Sequence, residues 1–453
     1  MYSGERINIT SGDLWLSIWR LSWPMLLIMV LSFLVGLTDV YVAGFIGPEV
    51  QAVVGFVSQI FFLNIIIANA LSIGTTALIT RSIGAGDFDG SVKIARQSLI
   101  FGILSATVLM VAGFVFYSQI IAVSGFPQNI RPIAGRFVKI FALALGPNYV
   151  LIISNAVLRA SGEVRKVLFT MFLVSAVNIA GNFVLVFGVS PFPKLGYAGI
   201  ALATAISVTV GMAVNFMHFA RGRWRVMFKS PAEISGETII RILKLSWPAG
   251  ILQVAWNAGS IVLYNILGRL GSANITALAS LTNGLRIEAI IYLPAYALNM
   301  AAAVLVGQNM GAKNFARATE VGRKIAFSGI ALVSLMAVII FIRAEDVASL
   351  VSGDPAVLKG TAMYLRFNMV SEPFMALSAI LGGGLQGSGD TRGTMQIIVI
   401  AMWLIRLPLA WLFALGFGYG APGVWAAMVT SMVIQGILMA YRFEHGLWKK
   451  ITL

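Results

Sequence analysis

The chain has 453 residues, 58% of them apolar and only 11% charged, with 32 Lys and Arg against 17 Asp and Glu for a net charge of +15. A soluble globular chain carries about 25% charged and about 45–50% apolar residues, so a soluble enzyme, a disordered chain and a secreted disulfide scaffold all fit poorly. Cysteine is absent, which excludes disulfides, thiolate metal sites and cysteine nucleophiles, and the two histidines, His218 and His445, are too far apart for a histidine metal site. The basic residues sit in short clusters between long apolar runs, which points to membrane topology and not to nucleic-acid binding.

Residues 1–20 mix Glu5, Arg6, Asp13 and Arg20, and the apolar run after them continues to about Ile46. A signal-peptide core has about 7–15 apolar residues, so this longer run is expected to remain as a first span. Crossing a bilayer as a helix takes about 20 mainly apolar residues. Twelve segments meet that length: 16–46, 51–82, 91–118, 130–159, 164–188, 196–220, 238–270, 275–309, 316–342, 356–386, 393–416 and 421–443. A membrane barrel would instead show alternating stretches of about ten residues, so the expected fold class is an all-α membrane protein with twelve transmembrane helices. With the N-terminus inside, 22 Lys and Arg fall in inner segments and 8 in outer ones, which predicts a multi-pass protein of the cytoplasmic (inner) membrane with both termini cytoplasmic.

An internal repeat divides the chain. Leu21-Ser22-Trp23-Pro24 recurs as Leu245-Ser246-Trp247-Pro248, 224 residues later, and Gly196-Tyr197-Ala198-Gly199 matches Gly420-Ala421-Pro422-Gly423 at the same offset. Leu158-Arg159-Ala160-Ser161-Gly162-Glu163 corresponds to Leu385-Gln386-Gly387-Ser388-Gly389-Asp390 at 227. The pattern predicts an N-terminal six-helix lobe over 1–220, a basic cytoplasmic linker over 221–237 and a C-terminal six-helix lobe over 238–453. Six spans return the chain to its starting side, so the lobes are expected to be related by a pseudo-two-fold along the membrane normal, with a cavity between them.

Fourteen of the 17 acidic residues lie in loops or near span ends, leaving Asp39 in the first span, Glu288 mid-way along the eighth and Glu372 mid-way along the tenth. A carboxylate in hydrocarbon costs about 2.5–3.5 kcal/mol on insertion scales, so it faces the interior, pairs, or binds a proton. These three are candidate ion-coupling or substrate residues, against the plainer reading of acids that fix packing. Arg286, only two positions from Glu288, points to a different helix face. Asn155, Asn178 and Asn182 in spans four and five can offer donors and acceptors to Asp39, water or a coupling ion, although such amides also tie helices together. Asn257, Asn283, Tyr292, Tyr296 and Asn299 are weaker candidates for the opposing wall. Pro24 and Pro248 either kink spans one and seven or sit harmlessly in a first turn. Gly382-Gly383-Gly384 and Gly387-Ser388-Gly389 are followed by no Gly-Lys-Ser/Thr, so no phosphate loop fuels the protein.

Asp39 in a span opened by Leu-Ser-Trp-Pro, Val306-Gly307-Gln308-Asn309-Met310-Gly311-Ala312 closing the eighth span, and Gly387-Ser388-Gly389-Asp390-Thr391 after the tenth complete a pattern. With the six-plus-six duplication it resembles the multidrug and toxic compound extrusion (MATE) family over essentially the whole chain. The resemblance implies an antiporter that expels lipophilic, often cationic organic compounds in exchange for H⁺ or Na⁺ by alternating access. No cofactor and no metal beyond a Na⁺ near Asp39 are then expected; the clustered basic charge predicts no nucleic-acid partner, and a two-lobed duplicated chain in lipid can work as a monomer. Asp39 matches the family's first-helix carboxylate, Pro24 the proline associated with bending of that helix, and Asn155 and Asn178 the amide positions of the N-terminal lobe. Asn182 stands where some proton-coupled members of the DNA-damage-inducible subgroup have a second aspartate, and span seven lacks the glutamate of the norfloxacin-efflux type, so the subgroup stays open. The rival readings are a flippase for a lipid-linked oligosaccharide, which would require a more cationic cavity, and a membrane-embedded enzyme, for which no nucleophile or metal constellation exists.

Overall fold

In a bilayer every backbone N–H and C=O has to be satisfied within the protein, and a helix does this inside a single segment. The computed structural model describes residues 10–123, 125–128, 130–229 and 234–452, and among them there are helices and no strands. Glu5, Arg6 and Glu233, counted above among the loop charges, and residues 230–233 of the linker lie outside the described residues. The first helices are α1 (Leu14–Ile46), α2 (Pro48–Gly84), α3 (Phe88–Val115), the short α4 (Tyr117–Val123), α5 (Arg131–Ala160), α6 (Val164–Phe187) and α7 (Tyr197–Arg221). Then come α8 (Gly236–Gly268), α9 (Asn274–Gly311), α10 (Phe315–Ile342), the short α11 (Ala344–Ser349), α12 (Pro355–Met369) and α13 (Glu372–Ser388). The chain closes with α14 (Thr391–Val399), α15 (Leu407–Trp411) and α16 (Gly420–His445). Helix of wider π pitch over Ile400–Arg406 and Leu412–Gly416 joins α14 and α15 into one span, Thr391–Gly416.

Among the described residues, eleven helical spans are long and apolar enough to cross a membrane. The twelfth, expected over 356–386, is present as two halves, α12 and α13, with a turn at Val370 and Ser371. Pro373 supplies the reason: it has no N–H for the carbonyl four residues back, and its ring disfavours helical geometry at Glu372. Glu372 is therefore the first residue of α13 and not the middle of an unbroken helix. Pro24 and Pro248 lie well inside α1 and α8, so neither is a first-turn proline.

The chain packs as two compact units. Residues Leu27–Ser246 form the first, and the second takes Trp247–Leu453 together with the chain before Leu27. The divisions fall at the two Leu-Ser-Trp-Pro repeats, so the start of α8 belongs to the first unit and the start of α1 to the second. In the first unit the start of α8 lies against α2 so closely that a Cβ on Gly74 would collide with Ser246 Oγ and meet the Ile242 carbonyl oxygen at 2.8 Å. In the second, Arg317 Nη2 donates to the Gly12 carbonyl (2.9 Å) and Lys324 Nζ lies 5.6 Å from the Trp15 ring centroid.

Within each unit the sequence repeat becomes a structural one. Phe219 near the end of α7 and Trp224 just beyond it recur 224 residues later as Phe443 near the end of α16 and Trp448 beyond it; all four are fully buried, with ring centroids 6.0 and 5.0 Å apart. The turn after α5 carries Glu163, which accepts from Arg223 Nε (3.2 Å) and Trp224 Nε1 (3.1 Å) and pairs with Lys166. Its counterpart after α13, Asp390, caps α14 through Gly393 N (3.2 Å) and holds Arg442. Gly199 and Gly423 admit the preceding span against their own backbone: a Cβ at either would stand 2.8 Å from Leu185 C or 2.7 Å from Phe413 C.

Candidate functional site

In the first unit Asp39 sits half-buried on α1, opposite α6 and α7. Its Oδ1 accepts from Asn182 Nδ2 at 2.6 Å and its Oδ2 from Thr204 Oγ1 at 3.3 Å. Asn182 also donates to Asn178 Oδ1 (3.1 Å), and Asn178 Nδ2 donates to Thr204 Oγ1 (3.2 Å), closing a ring of neutral groups around the carboxylate. The i, i+4 spacing of Asn178 and Asn182 places both on one face of α6, and both are fully buried. Asn182 Oδ1 is a buried acceptor with no donor. Among the described residues no Lys, Arg or His bonds to Asp39.

Asn155 is not brought to this ring. Its Oδ1 accepts from Asn215 Nδ2 (2.8 Å) and its Nδ2 lies 3.5 Å from Met171 Sδ, while Asn215 reaches Ser154 Oγ (2.7 Å) and Thr170 Oγ1 donates to Asn215 Oδ1 (2.8 Å). It belongs to a second, fully buried polar cluster tying α5 to α6 and α7, the helix-joining role such amides commonly have.

In the second unit Glu288 on α9 is 2% exposed and Glu372 on α13 is 3% exposed. The two carboxyls are electrostatic neighbours, and Tyr364 of α12 and Arg406 flank Glu288. Tyr292 Oη donates to Glu288 Oε2 at 3.3 Å, whereas Glu288 Oε1 and Glu372 Oε2 are buried without a hydrogen-bond partner. Arg406 is itself buried, with Nε 2.8 Å from Ser431 Oγ and its guanidinium 5.1 Å from the centroid of Trp256. Arg406 is thus the cation beside Glu288. Tyr296 packs edge-on against Tyr292 (6.2 Å) and is half exposed, and Asn257 donates to the carbonyl of Gln253 (2.8 Å). Asn283 is partly exposed, and Asn299 Nδ2 donates to the Ala379 carbonyl (2.6 Å), a link from α9 to α13.

Sequence reasoning missed Thr204, Asn215 and Tyr364. A lone threonine, asparagine or tyrosine in an apolar run carries no pattern of its own, and only the packing of α7 against α6 and of α12 against α9 brings these three into play.

The MatE family model matches residues 24–184 and 248–412, two segments that begin at Pro24 and at Pro248. The chain belongs to the MatE family. MatE relatives cover nearly all of it. It is 25% identical over 440 residues to the uncharacterized transporter YisQ of Bacillus subtilis, covering 96% of each chain. The probable multidrug resistance protein NorM of Thermotoga maritima is 25% identical over 435 residues, 95% of this chain and 92% of its own. NorM of Acinetobacter baylyi, likewise named a probable multidrug resistance protein, is 27% identical over 449 residues, 95% and 96% of the two chains. Among solved structures, the Vibrio cholerae MATE transporter VcmN, as an aspartate-to-asparagine mutant, superposes with a TM-score of 0.87 at 21% identity over 96% and 97% of the two chains. That likeness shows the same all-α fold. The protein is a multi-pass membrane transporter and not an enzyme.

Proposed function

We propose that this MatE protein exports small organic, often cationic compounds in exchange for inward H⁺ or Na⁺, by alternating access in the cytoplasmic membrane with both termini inside. The observation that carries this reading is the Asp39 carboxylate, which stands in a membrane span and, among the described residues, bonds to the neutral groups of Asn182 and Thr204 and to no cation. A carboxylate so placed with no cationic partner in its bonding shell is neutralised by a mobile one, and the donorless Asn182 Oδ1 adds a further oxygen for it. Coupling follows when ion and substrate each favour a different conformation, since a ligand shifts an equilibrium only by its differential affinity for the two states. Glu288 and Glu372, two neighbouring buried carboxyls with Arg406 beside Glu288, form a second place where a cation or proton can be held. Pro24 removes one backbone bond from α1 fifteen residues before Asp39, which gives that helix a hinge. The names of the multidrug relatives support small organic substrates, and the 22 to 8 excess of inner basic residues supports the orientation.

Reconstitution into liposomes tests the proposal: efflux of a fluorescent lipophilic cation is followed under an imposed pH gradient and, separately, an imposed Na⁺ gradient. Efflux driven by one gradient and lost in Asp39→Asn is the expected result. Absence of efflux under both, with tight binding of a lipid diphosphate, would favour the flippase reading instead.

A further inference from the structure

Arg286 has the opposite circumstances to Arg406. It lies twelve residues into the 38-residue α9 from Asn274, about 18 Å along the helix axis at 1.5 Å per residue, and so inside a span long enough to cross a hydrocarbon layer about 30 Å thick. Its side chain is exposed, while Glu288, about 200° further round the helix, is buried, as their sequence spacing predicts. Among the described residues no carboxylate, hydroxyl or carbonyl holds the Arg286 guanidinium. An arginine within a span costs up to about 2.5–3.5 kcal/mol when it faces lipid, a cost that a water-filled path beside α9 would remove.

We infer that Arg286 is an anion-recognising residue of the export path, binding a carboxylate, sulfonate or phosphate group on the compounds the protein carries. The inference rests on the transport reading above and narrows its substrate class to compounds that join an anionic group to an apolar or cationic body. A guanidinium presents two parallel N–H donors at the spacing of the two oxygens of a carboxylate, and it does so best where no protein acid already occupies them. Thr282 and Asn283, one helical turn earlier on the same side of α9, are partly exposed, and Thr282 Oγ1 is linked to Tyr264 Oη at 3.3 Å. They flank the guanidinium with neutral hydrogen-bonding groups and no competing negative charge. Arg406, by contrast, is buried and engaged by Ser431, Trp256 and Glu288 and is not available to a substrate.

A matched dye pair tests this: a rhodamine with a free carboxylate and its methyl ester, which differ in the anionic group alone. In proteoliposomes under the driving gradient, Arg286→Gln is expected to lower the ratio of carboxylate to ester transport at least about tenfold, the loss of one charge-assisted bidentate contact. Arg286→Lys, which keeps the charge and loses the fork, is expected to fall between. Anisotropy of each dye with purified full-length protein decides the matter independently of transport: selective weakening of carboxylate-dye binding in Arg286→Gln supports the inference. An equal effect on both dyes, or binding of neither by the wild type, overturns it. If the wild type binds the carboxylate dye through Arg286 yet neither gradient moves it, the transport reading fails and the anion site stands. Because the chain has no cysteine, Asn283→Cys provides a single reporter. Modification by a water-soluble thiosulfonate, slowed by the carboxylate dye, is expected; a reporter inert to the reagent in folded protein would show a dry face and overturn the inference.

Discussion

Asp390 accepts both arms of the Arg442 guanidinium, Nε to Oδ2 at 2.6 Å and Nη2 to Oδ1 at 2.8 Å, across 52 residues of sequence. The same carboxylate caps α14, so one buried acid closes the turn after α13, starts the next span and fastens α16. Glu163 holds the equivalent position in the first unit but uses Arg223 and Trp224, residues beyond its last helix. The two halves retain the acid and have exchanged its partners.

Replacement of Asp390 by Ala removes a cap worth about 1 kcal/mol and charge-assisted bonds worth about 1.5–3 kcal/mol. A loss of about 2–4 kcal/mol is therefore expected. Thermal unfolding of the detergent-purified protein should show a clearly lowered midpoint, with Asp390→Asn intermediate because an amide can still cap.

Lys313 is the one described non-glycine residue in the left-handed region, at φ 56°, and it stands 227 positions after Gly86, which takes φ 78° in the matching turn. A side chain there costs about 1–2 kcal/mol, partly offset by the extra freedom glycine has in the unfolded chain. Lys313→Gly is expected to stabilise the protein by about 0.5–1 kcal/mol, seen as a raised unfolding midpoint. An unchanged or lowered midpoint would mean that the lysine side chain contributes more than its backbone strain removes.

At Gly199 and Gly423 an added methyl would meet main-chain atoms, which have no rotamer to escape by. Gly199→Ala and Gly423→Ala should each destabilise by about 1–3 kcal/mol, the usual cost of overpacking. The two sites share no neighbours, so the double variant should lose the sum of the two within about 0.5 kcal/mol.

Asp39→Asn is expected to abolish ion-driven efflux while leaving the unfolding midpoint near that of the wild type, because an amide can keep the contacts to Asn182 and Thr204. Thr204→Val removes a single hydroxyl from the carboxylate and should shift the ion concentration for half-maximal efflux by up to about tenfold. Efflux kinetics across a series of imposed gradients would measure both. Full ion-driven efflux by Asp39→Asn would remove this carboxylate from coupling.

Hydropathy and repetition were enough to predict twelve spans, eleven of which are continuous helices, the duplication, and the isolation of Asp39, Glu288 and Glu372 among 17 acids, because each is a property of a single segment or of one segment compared with its copy. A carboxylate in an apolar run stands out without any knowledge of its neighbours, and Arg286 and Glu288 could be placed on different faces of α9 from helical spacing alone. What Asp39 touches is another matter: its partners lie 143 and 165 residues away on α6 and α7, and only helix packing decides that Asn182 and Thr204 meet it while Asn155 turns to Asn215. The break at Pro373 likewise escaped hydropathy, which sums side-chain character over a window and does not register a lost backbone bond. The gathering of Glu288, Glu372, Tyr364 and Arg406 depends on four separate segments converging. A span's existence is written in its own composition, whereas a polar site inside the membrane is built from one residue per helix, and its membership is decided when those helices pack.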